Sequence, residues 1–264
     1  MQKTVSELFL ENSAGECHKW ANYLEVYERH FSCFRGKKPV ILEIGVRRGG
    51  SLDVWKKYFG SDSTIVGIDI DPSCQRMQSH GFHIHIGDQS DESFLEKVIG
   101  DYKEFDVVID DGSHIGSHMI KSFEYIYPKM SANGIYVVED VVPSMIASKS
   151  SEGKLASFID YASLLARQLN YGFASQSVLK GVNNASRNSA VKMGKSVDSY
   201  RSSSLEECNS PSLFTSITKS ILFYPNIVVF EKCPQGKRCS IKTGGMIPGE
   251  LEIYSSYEAV PPSK

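Results

Sequence analysis

The chain contains 264 residues, of which 41% are hydrophobic and 23% charged, and its formal net charge is −2. This composition supports a folded core and argues against global disorder, and the charge balance offers no basic excess for nucleic-acid binding. The length suits one elaborated α/β domain, and the sequence contains no apolar run of signal-peptide or membrane-span length. We therefore expect a cytoplasmic protein with no nucleic-acid or membrane partner.

The first 36 residues form a predicted N-terminal helical extension that precedes the first core strand. Apolar residues at helical spacing predict one amphipathic helix over about 18–33: Trp20, Tyr23, Leu24, Tyr27 and Phe31. We expect this helix to pack on the edge of a sheet. In the alternative, His18, Lys19 and Trp20 face the ligand cleft.

The stretch Pro39–Ser51, "PVILEIGVRRGGS", predicts a strand, a glycine-rich turn and a helix. Its apolar run is too short for a helix and lacks polar alternation, which indicates a strand buried on both faces. Glycines follow at Gly45, Gly49 and Gly50, where they permit a tight turn and the close approach of a ligand. In an open α/β sheet, ligands bind at this carboxyl edge of the strands.

The residues of this turn favour a cationic ligand over a dinucleotide. The spacing is not G-x-G-x-x-G, because position 47 is Arg47, and the carboxylate of Glu43 would repel a pyrophosphate. The pattern E-x-G-x(3)-G-G resembles motif I of class I S-adenosylmethionine (SAM) methyltransferases. The resemblance implies that SAM lies against Glu43, Gly45, Gly49 and Ser51. An ordinary βα turn of a flavodoxin-like or Rossmann protein is the alternative.

The second and third predicted strands also end in acidic or amide residues. Thr64–Ile70 carries Asp69 near its end, about 25 residues after the glycine turn, where an acid can accept hydrogen bonds from ribose hydroxyls. Asp69 is the first candidate for this role and Asp71 the second. The third strand, Phe82–Ile86, carries His83 and His85, for which the solvated face of an edge strand is favoured over a metal site.

Residues Asp88 and Gln89 follow the third strand, where SAM methyltransferases place an acid or amide near the adenine amino group. The fourth strand, in Phe105–His114 ("FDVVIDDGSH"), ends in Asp110 and Asp111, with His114 just beyond. One of these acids could instead cap the next helix, although capping needs only one carboxylate and does not explain His114.

The fifth strand, in Ser131–Asp140, ends in a second acidic pair, Glu139 and Asp140. If the fourth and fifth strands are neighbours, Asp111 converges with this pair. Carboxylates that are packed together repel one another unless a cation lies between them. Oxygen ligands suit a hard divalent ion such as Mg²⁺.

Taken together, these motifs resemble the metal-dependent sugar O-methyltransferases of macrolide biosynthesis and their cephalosporin-hydroxylase-like relatives. The resemblance covers about residues 15–140 and resumes at "SILFYPNIVVFEK". It implies that Asp111, Glu139 and Asp140 bind Mg²⁺, that His114 is the general base, and that Asp110 belongs with the cofactor residues. The chain departs from the family after Asp140, where "VVPSM" replaces an aromatic-rich stretch, so we expect a different substrate pocket.

The expected fold is α/β: a Rossmann-like, doubly wound, seven-stranded and mostly parallel sheet with an antiparallel closing hairpin, as in class I methyltransferases. The methyltransferase domain is expected over 37–232, with a lid or substrate insertion at about 141–215 that includes a helix at Leu155–Leu169. The hairpin is expected over Ile217–Glu231, and 233–264 forms a C-terminal tail. Cys233 and Cys239 are favoured as thiols over a local bridge.

The predicted function is Mg²⁺-dependent methyl transfer from SAM to a hydroxyl of a sugar or a sugar-decorated natural product. The methyl acceptor itself, the reacting oxygen and the oligomeric state are not readable, although relatives favour a homo-oligomer. The alternatives are a phosphate, carboxylate or phenol acceptor, a nicotinamide-dependent oxidoreductase, and a non-catalytic subunit with this fold.

Overall fold

The computed structural model describes residues 2–147, 157–171 and 213–233. Most of the predicted insertion at 141–215 and nearly all of the predicted C-terminal tail therefore lie outside the described residues, as does Cys239. Within the described residues, no helix is long and apolar enough to cross a membrane.

Seven strands form one sheet in the order β3-β2-β1-β4-β5-β7-β6. The strands are β1 (Val40–Ile44), β2 (Thr64–Asp69), β3 (His83–Ile86), β4 (Val107–Asp110), β5 (Ile135–Glu139), β6 (Thr218–Tyr224) and β7 (Ile227–Lys232). The first five are parallel, and β7 runs antiparallel to both β5 and β6. The predicted sheet and its closing hairpin are confirmed.

Helices cover both faces of this sheet. The described helices are α1 (Val5–Leu10), α2 (Ala21–Phe31), α3 (Gly50–Phe59), α4 (Glu92–Gly100), α5 (Gly116–Ile126), α6 (Val141–Ala147), α7 (Phe158–Tyr171) and α8 (Leu213–Ile217). Short 3₁₀ segments lie at Ser32–Phe34, Pro72–His80 and Tyr127–Lys129. The helix predicted over 18–33 is the shorter α2, and the helix predicted at Leu155–Leu169 is α7, which begins three residues later.

One face of the sheet is covered by α1, α2 and α3. Trp55 of α3 is fully buried there, and its ring lies 5.1 Å from that of Tyr27 and 5.8 Å from that of Phe31. The N-terminal helix does pack on the sheet, but α2 lies on this face and not on the edge that was expected. Because α1 and α2 share a core with β1 and β2, the extension at 1–36 is built into the sheet domain.

The opposite face is covered by α4, α5 and α7. Phe123 of α5 lies 4.4 Å from the ring of Phe230 on β7 and 4.7 Å from that of Tyr127. Large apolar residues thus fill both sides of the central strands, as expected for strands without polar alternation. The two helical layers hold the carboxyl ends of β1, β4 and β5 at one edge, where the candidate site lies.

Candidate active site at the carboxyl ends of β4 and β5

Asp111, His114 and Asp140 converge where β4 and β5 end. The Nε2 atom of His114 lies 3.7 Å from Oδ1 of Asp111 and 3.9 Å from Oδ2 of Asp140. His114 and Asp140 have positive φ angles of 56° and 48°, a conformation that costs energy for residues with a side chain. These strained turns place the three side chains together, with one ligand atom from each within 4.8 Å of the others.

Each of the two carboxylates offers one oxygen to this space and uses the other for protein contacts. Oδ1 of Asp140 accepts hydrogen bonds from Trp20 Nε1, Tyr23 Oη and Asn226 Nδ2 at 3.1, 2.8 and 2.6 Å. Oδ2 of Asp111 accepts one from the Lys19 ammonium at 2.7 Å. The oxygens that remain face His114.

Lys19 lies inside the acid cluster. Its ammonium donates to both oxygens of Glu139, at 3.0 and 2.9 Å, and lies 3.6 Å from Oε1 of Glu43. The Lys19 side chain is 3% exposed. The preferred expectation, that this segment serves only packing, is wrong for Lys19 and Trp20, which reach the cleft. His18 is exposed and packs its ring against Trp20.

The electrostatics of the cluster follow from burial and the opposing charges. Burial lowers the pKa of Lys19, but the carboxylates of Glu139 and Asp111 outweigh it, so that the pKa lies well above its usual value. Burial raises the pKa of Glu139 against the effect of Lys19, and likewise that of Glu43. Lys19 is therefore an ammonium ion at neutral pH, and it supplies a cation to carboxylates that burial would otherwise disfavour.

The glycine turn after β1 is organised by Asp69. Its Oδ2 accepts hydrogen bonds from the backbone N–H groups of Val46 and Arg47, both at 2.8 Å, and its Oδ1 accepts one from Asp71 N at 2.9 Å. Asp71 caps the following 3₁₀ segment by accepting from Ser73 N. Asp69 is half-buried and sits beside Ile70, which is 72% exposed. An acid beside an exposed apolar side chain suits a nucleoside.

The glycines of this turn lie against protein backbone. A Cβ on Gly45 would lie 2.1 Å from the carbonyl oxygen of Asp111, and one on Gly50 would lie 2.4 Å from that of Gly15. Gly49 begins α3 with a φ of 76°. The close approach that the sequence suggested for a ligand is thus made by protein at Gly45 and Gly50. Contact of Gly45 and Gly49 with a cofactor stays a prediction.

Other predicted cofactor residues lie inside the protein. Asp110 is fully buried and accepts from Ser122 Oγ at 2.7 Å and from Gln89 Nε2 at 3.1 Å. The Oε1 atom of Gln89 accepts from Ser113 N at 2.7 Å, so this network supports the loop that carries Asp111. Burial raises the pKa of Asp110, against the hydrogen bond from Ser122. These contacts favour a positional role for Asp110 and Gln89, and direct cofactor contact by either residue stays a prediction.

The remaining predicted cofactor residues are Glu43, Ser51 and Asp88, of which only Asp88 is partly exposed. Glu43 is fully buried and accepts a hydrogen bond from Ser51 Oγ at 2.8 Å, while its Oε1 atom has no hydrogen-bond partner among the described residues. Asp88 is half-buried and accepts from Ser90 N at 2.7 Å. His83 lies on the edge strand β3 and is exposed, as expected, whereas His85 contacts Tyr102 Oη at 3.0 Å.

Several residues of the site were missed in the sequence or assigned to the core. Tyr27 and Tyr23 belong to the apolar stripe of α2, yet their hydroxyls reach Glu139 at 2.5 Å and Asp140 at 2.8 Å. Tyrosine carries an apolar ring and a polar hydroxyl that seeks a hydrogen-bond partner when buried. The two tyrosines in the apolar stripe of α2 could therefore have indicated polar contacts at the site. Asn226, in the turn between β6 and β7, carried no such signal. No local sequence pattern indicated that Ile70 would be exposed beside Asp69.

The architecture is that of class I SAM methyltransferases. The structure of the MycE methyltransferase from the mycinamycin biosynthetic pathway, determined in complex with Mg, SAH and mycinamycin VI, superposes with a TM-score of 0.68 and 23% sequence identity. The match covers 95% of this chain and 57% of that one. At this identity the likeness establishes the fold.

The chain is also similar in sequence to sugar O-methyltransferases. The chain is 40% identical over 126 residues to mycinamicin VI 2''-O-methyltransferase of Micromonospora griseorubida, covering 44% of this chain and 30% of that protein. It is 36% identical over 135 residues to 8-demethyl-8-alpha-L-rhamnosyl tetracenomycin-C 2'-O-methyltransferase of Streptomyces olivaceus, covering 48% and 35%. The chain matches about a third of these relatives' length, and no family model matches it. The resemblance inferred from the motifs is confirmed.

Proposed function

We propose that the chain transfers a methyl group from SAM to a hydroxyl of a sugar or a sugar-bearing natural product, with Mg²⁺ as a second cofactor. The observation that carries this proposal is the convergence of Asp111, Asp140 and His114 at the carboxyl ends of β4 and β5. The relatives named as O-methyltransferases of a rhamnosyl tetracenomycin and of mycinamicin VI support the choice of acceptor.

The donor set fits a hard divalent ion. Asp111 and Asp140 each present one carboxylate oxygen to the same space, beside an imidazole nitrogen of His114. Carboxylate-rich sets with room for water or substrate oxygens suit Mg²⁺. When bound, the metal would hold acceptor oxygens in place and make a hydroxyl more acidic. Glu139, the third predicted ligand, has both oxygens in contact with Lys19.

His114 is the proposed general base. Its Nε2 atom faces both carboxylates, so this nitrogen is positioned to receive the proton of an acceptor hydroxyl held between them. The methyl group passes to the acceptor oxygen by direct displacement at the sulfonium, so no side chain needs to act as a nucleophile.

The cofactor is proposed to lie over the turn after β1, between Asp69 and the acid cluster. Asp69 would accept hydrogen bonds from the ribose hydroxyls, and the exposed Ile70 offers an apolar surface to the adenine. Glu43 would contribute negative charge near the sulfonium and amino group of SAM. Asp88 is proposed near the adenine amino group, as its position after β3 suggests.

The alternatives can be weighed against the same contacts. Glu43, buried beside the glycine turn, disfavours the pyrophosphate of a nicotinamide cofactor. The assembly of Asp111, Asp140 and His114 disfavours a non-catalytic subunit. A phosphate, carboxylate or phenol acceptor retains the same cofactor and is separated by the assay below. A homo-oligomer stays a prediction.

Calorimetric titration of the purified chain with SAM tests the cofactor, with NAD as the comparison ligand. We expect binding of SAM and none of NAD. Methyl transfer is then measured with rhamnosylated and macrolide acceptors and with acceptors that bear a phosphate, a carboxylate or a phenol, with and without Mg²⁺. Transfer only to acceptors without a sugar would overturn the sugar assignment, and absence of SAM binding would overturn the methyltransferase.

His114→Gln separates the general base from a metal ligand. We expect the variant to lose methyl transfer while Mn²⁺, used as a spectroscopic substitute for Mg²⁺, still binds. His83→Gln, on the exposed edge strand, is the matched control and should retain activity. Loss of Mn²⁺ binding in His114→Gln would make His114 a ligand instead.

A further inference from the structure

The glycine turn between β1 and α3 carries two arginines beside the acids of the proposed cofactor site. Those acids, Glu43, Asp69 and Asp88, suit the sulfonium and the ammonium of SAM. SAM also carries an α-carboxylate, which the same acids would repel. The proposed site therefore needs a positive group for this carboxylate, and the turn supplies two candidates, Arg47 and Arg48.

The first residue of α3 offers little room for this carboxylate. Backbone N–H groups at a helix N-terminus are a common site for a negatively charged group. Here the loop between α1 and α2 packs against that end of α3. A Cβ on Gly15 would lie 3.2 Å from the Gly50 nitrogen, and a Cβ on Gly50 would lie 2.8 Å from the carbonyl oxygen of Glu16. Because protein covers this end of the helix, a side chain is better placed to bind the carboxylate.

The backbone of Arg47 is held from two sides. Its N–H donates to Oδ2 of Asp69 at 2.8 Å, and its carbonyl oxygen accepts from the Cys74 thiol at 3.1 Å. Its φ of 50° lies in the left-handed region, which costs energy for a residue with a side chain and occurs often at functional sites. This fixed turn leaves the Arg47 side chain 69% exposed beside the acid proposed to bind the ribose.

Arg47 and Arg48 differ in how closely Glu16 approaches them. Nη1 of Arg48 lies 2.5 Å from Oε2 of Glu16, whereas Nη2 of Arg47 lies 3.8 Å from Oε1. The Arg48–Glu16 pair ties the turn to the loop between α1 and α2. Among the described residues, this longer contact is the ion pair that the Arg47 guanidinium makes, so its N–H groups can form a two-point contact with a second carboxylate.

We infer that Arg47 binds the α-carboxylate of SAM, while Arg48 holds Glu16 and its loop against the turn. This inference rests on the proposed function and adds a cofactor-binding residue to it. The site then offers acids to the two positive groups of SAM and one arginine to its negative group.

Calorimetric titration of the full chain tests this assignment with SAM and with decarboxylated SAM, which retains the sulfonium and the ammonium. Arg47→Gln should weaken SAM binding at least about fivefold and change the binding of decarboxylated SAM less than about twofold. Arg48→Gln is the matched control, since it removes the same charge from a neighbouring side chain that is 64% exposed. It should change the two affinities by equal factors.

Three results would overturn the inference. The first is equal weakening of both ligands in Arg47→Gln, or no weakening of SAM. The second is a selective loss of SAM binding in Arg48→Gln. The third concerns Lys19, a further cation whose ammonium lies 3.6 Å from Oε1 of Glu43. A selective loss of SAM binding in Lys19→Met but not in Arg47→Gln would assign the carboxylate to Lys19.

Failure of the inference and failure of the proposed function give different results. If the unaltered chain binds SAM but Arg47→Gln does not distinguish SAM from decarboxylated SAM, the inference fails while the proposed function stands. If the unaltered chain binds neither ligand, both fail. Equal affinity of the unaltered chain for the two ligands would mean that no group recognises the carboxylate, which overturns the inference alone.

Discussion

The strand ends at β1–β2 and at β4–β5 both carry acidic side chains, but their partners differ. At β1–β2, Asp69 accepts hydrogen bonds from three backbone N–H groups, two in the glycine turn after β1 and one just after β2. At β4–β5, Asp111 and Asp140 accept from side chains distant in sequence and keep one oxygen each facing His114. Position at a strand end thus identifies candidates, and the remaining free oxygens decide which of them can bind an exchangeable ion.

The largest effect is expected at the β4–β5 end. Asp111→Asn removes an outward carboxylate oxygen and the partner of Lys19, and should lower methyl transfer about a thousandfold, equal to about 4 kcal/mol. Steady-state kinetics with SAM and a glycosylated acceptor measure this. Asp101→Asn, at an exposed position, should be neutral. A drop below tenfold would place the essential acid elsewhere.

A second variant tests the backbone contact between the two strand ends. Gly45 has a φ of 95°, and a Cβ there would lie 2.1 Å from the Asp111 carbonyl oxygen. Gly45→Ala should therefore lower the free energy of unfolding by at least about 3 kcal/mol. Gly81, with a φ of 87° and nothing within 4 Å of its added Cβ, is the control. Gly81→Ala should cost about 1–2 kcal/mol in chemical denaturation.

Equal losses of unfolding free energy in Gly45→Ala and Gly81→Ala would show that the backbone strain of a positive φ accounts for the whole loss in both variants. The contact between Gly45 and the β4 loop would then be loose enough to yield, and the two strand ends would be mechanically independent.

A third variant addresses the β1–β2 end. Asp69→Asn keeps one acceptor oxygen but loses the charge that holds two backbone N–H groups, and should weaken SAM binding about tenfold. Calorimetry measures the change. Asp71→Asn alters only the cap of the 3₁₀ segment and should change SAM binding less than about threefold. The reverse order would make Asp71 the ribose acid.

The smallest effect is expected at a buried polar contact away from both strand ends. His30 lies between Glu231 and Tyr224, at 3.1 and 2.9 Å, and burial lowers its pKa from 6.5 despite the opposing charge of Glu231. The unfolded chain then takes up a proton more readily, so stability present above pH 6.5 is lost as the pH falls below it.

This loss should be less than about 1 kcal/mol between about pH 7 and pH 5, and His30→Gln should remove it. Chemical denaturation across this range measures the difference, with the exposed His80 as the control position. An unchanged pH slope in His30→Gln would assign the acid sensitivity to other groups.

Much of the fold was predictable because its signals are local. The runs "VILEI" and "IYVVE" identify buried strands directly, and the βα alternation dictates a parallel sheet. The convergence of Asp111 and Asp140 followed from strand adjacency. The contacts of Lys19 with Asp111 and Glu139 could not be predicted, because Lys19 lies 92 residues from Asp111 and 120 from Glu139 in the sequence. The buried state of Asp110 was equally invisible, since adjacent acids on one strand end look alike in sequence.

Lys19 also has a consequence for the biogenesis of the protein. At a synthesis rate of about 5–20 residues per second, the 120 residues between Lys19 and Glu139 take about 6–24 s to leave the ribosome. Lys19 emerges before these strands, and β1 to β4 appear before their last acidic neighbour. The cation that completes the site is therefore made before each of the acids that it contacts, and it reaches its final environment only after the last of them, Glu139.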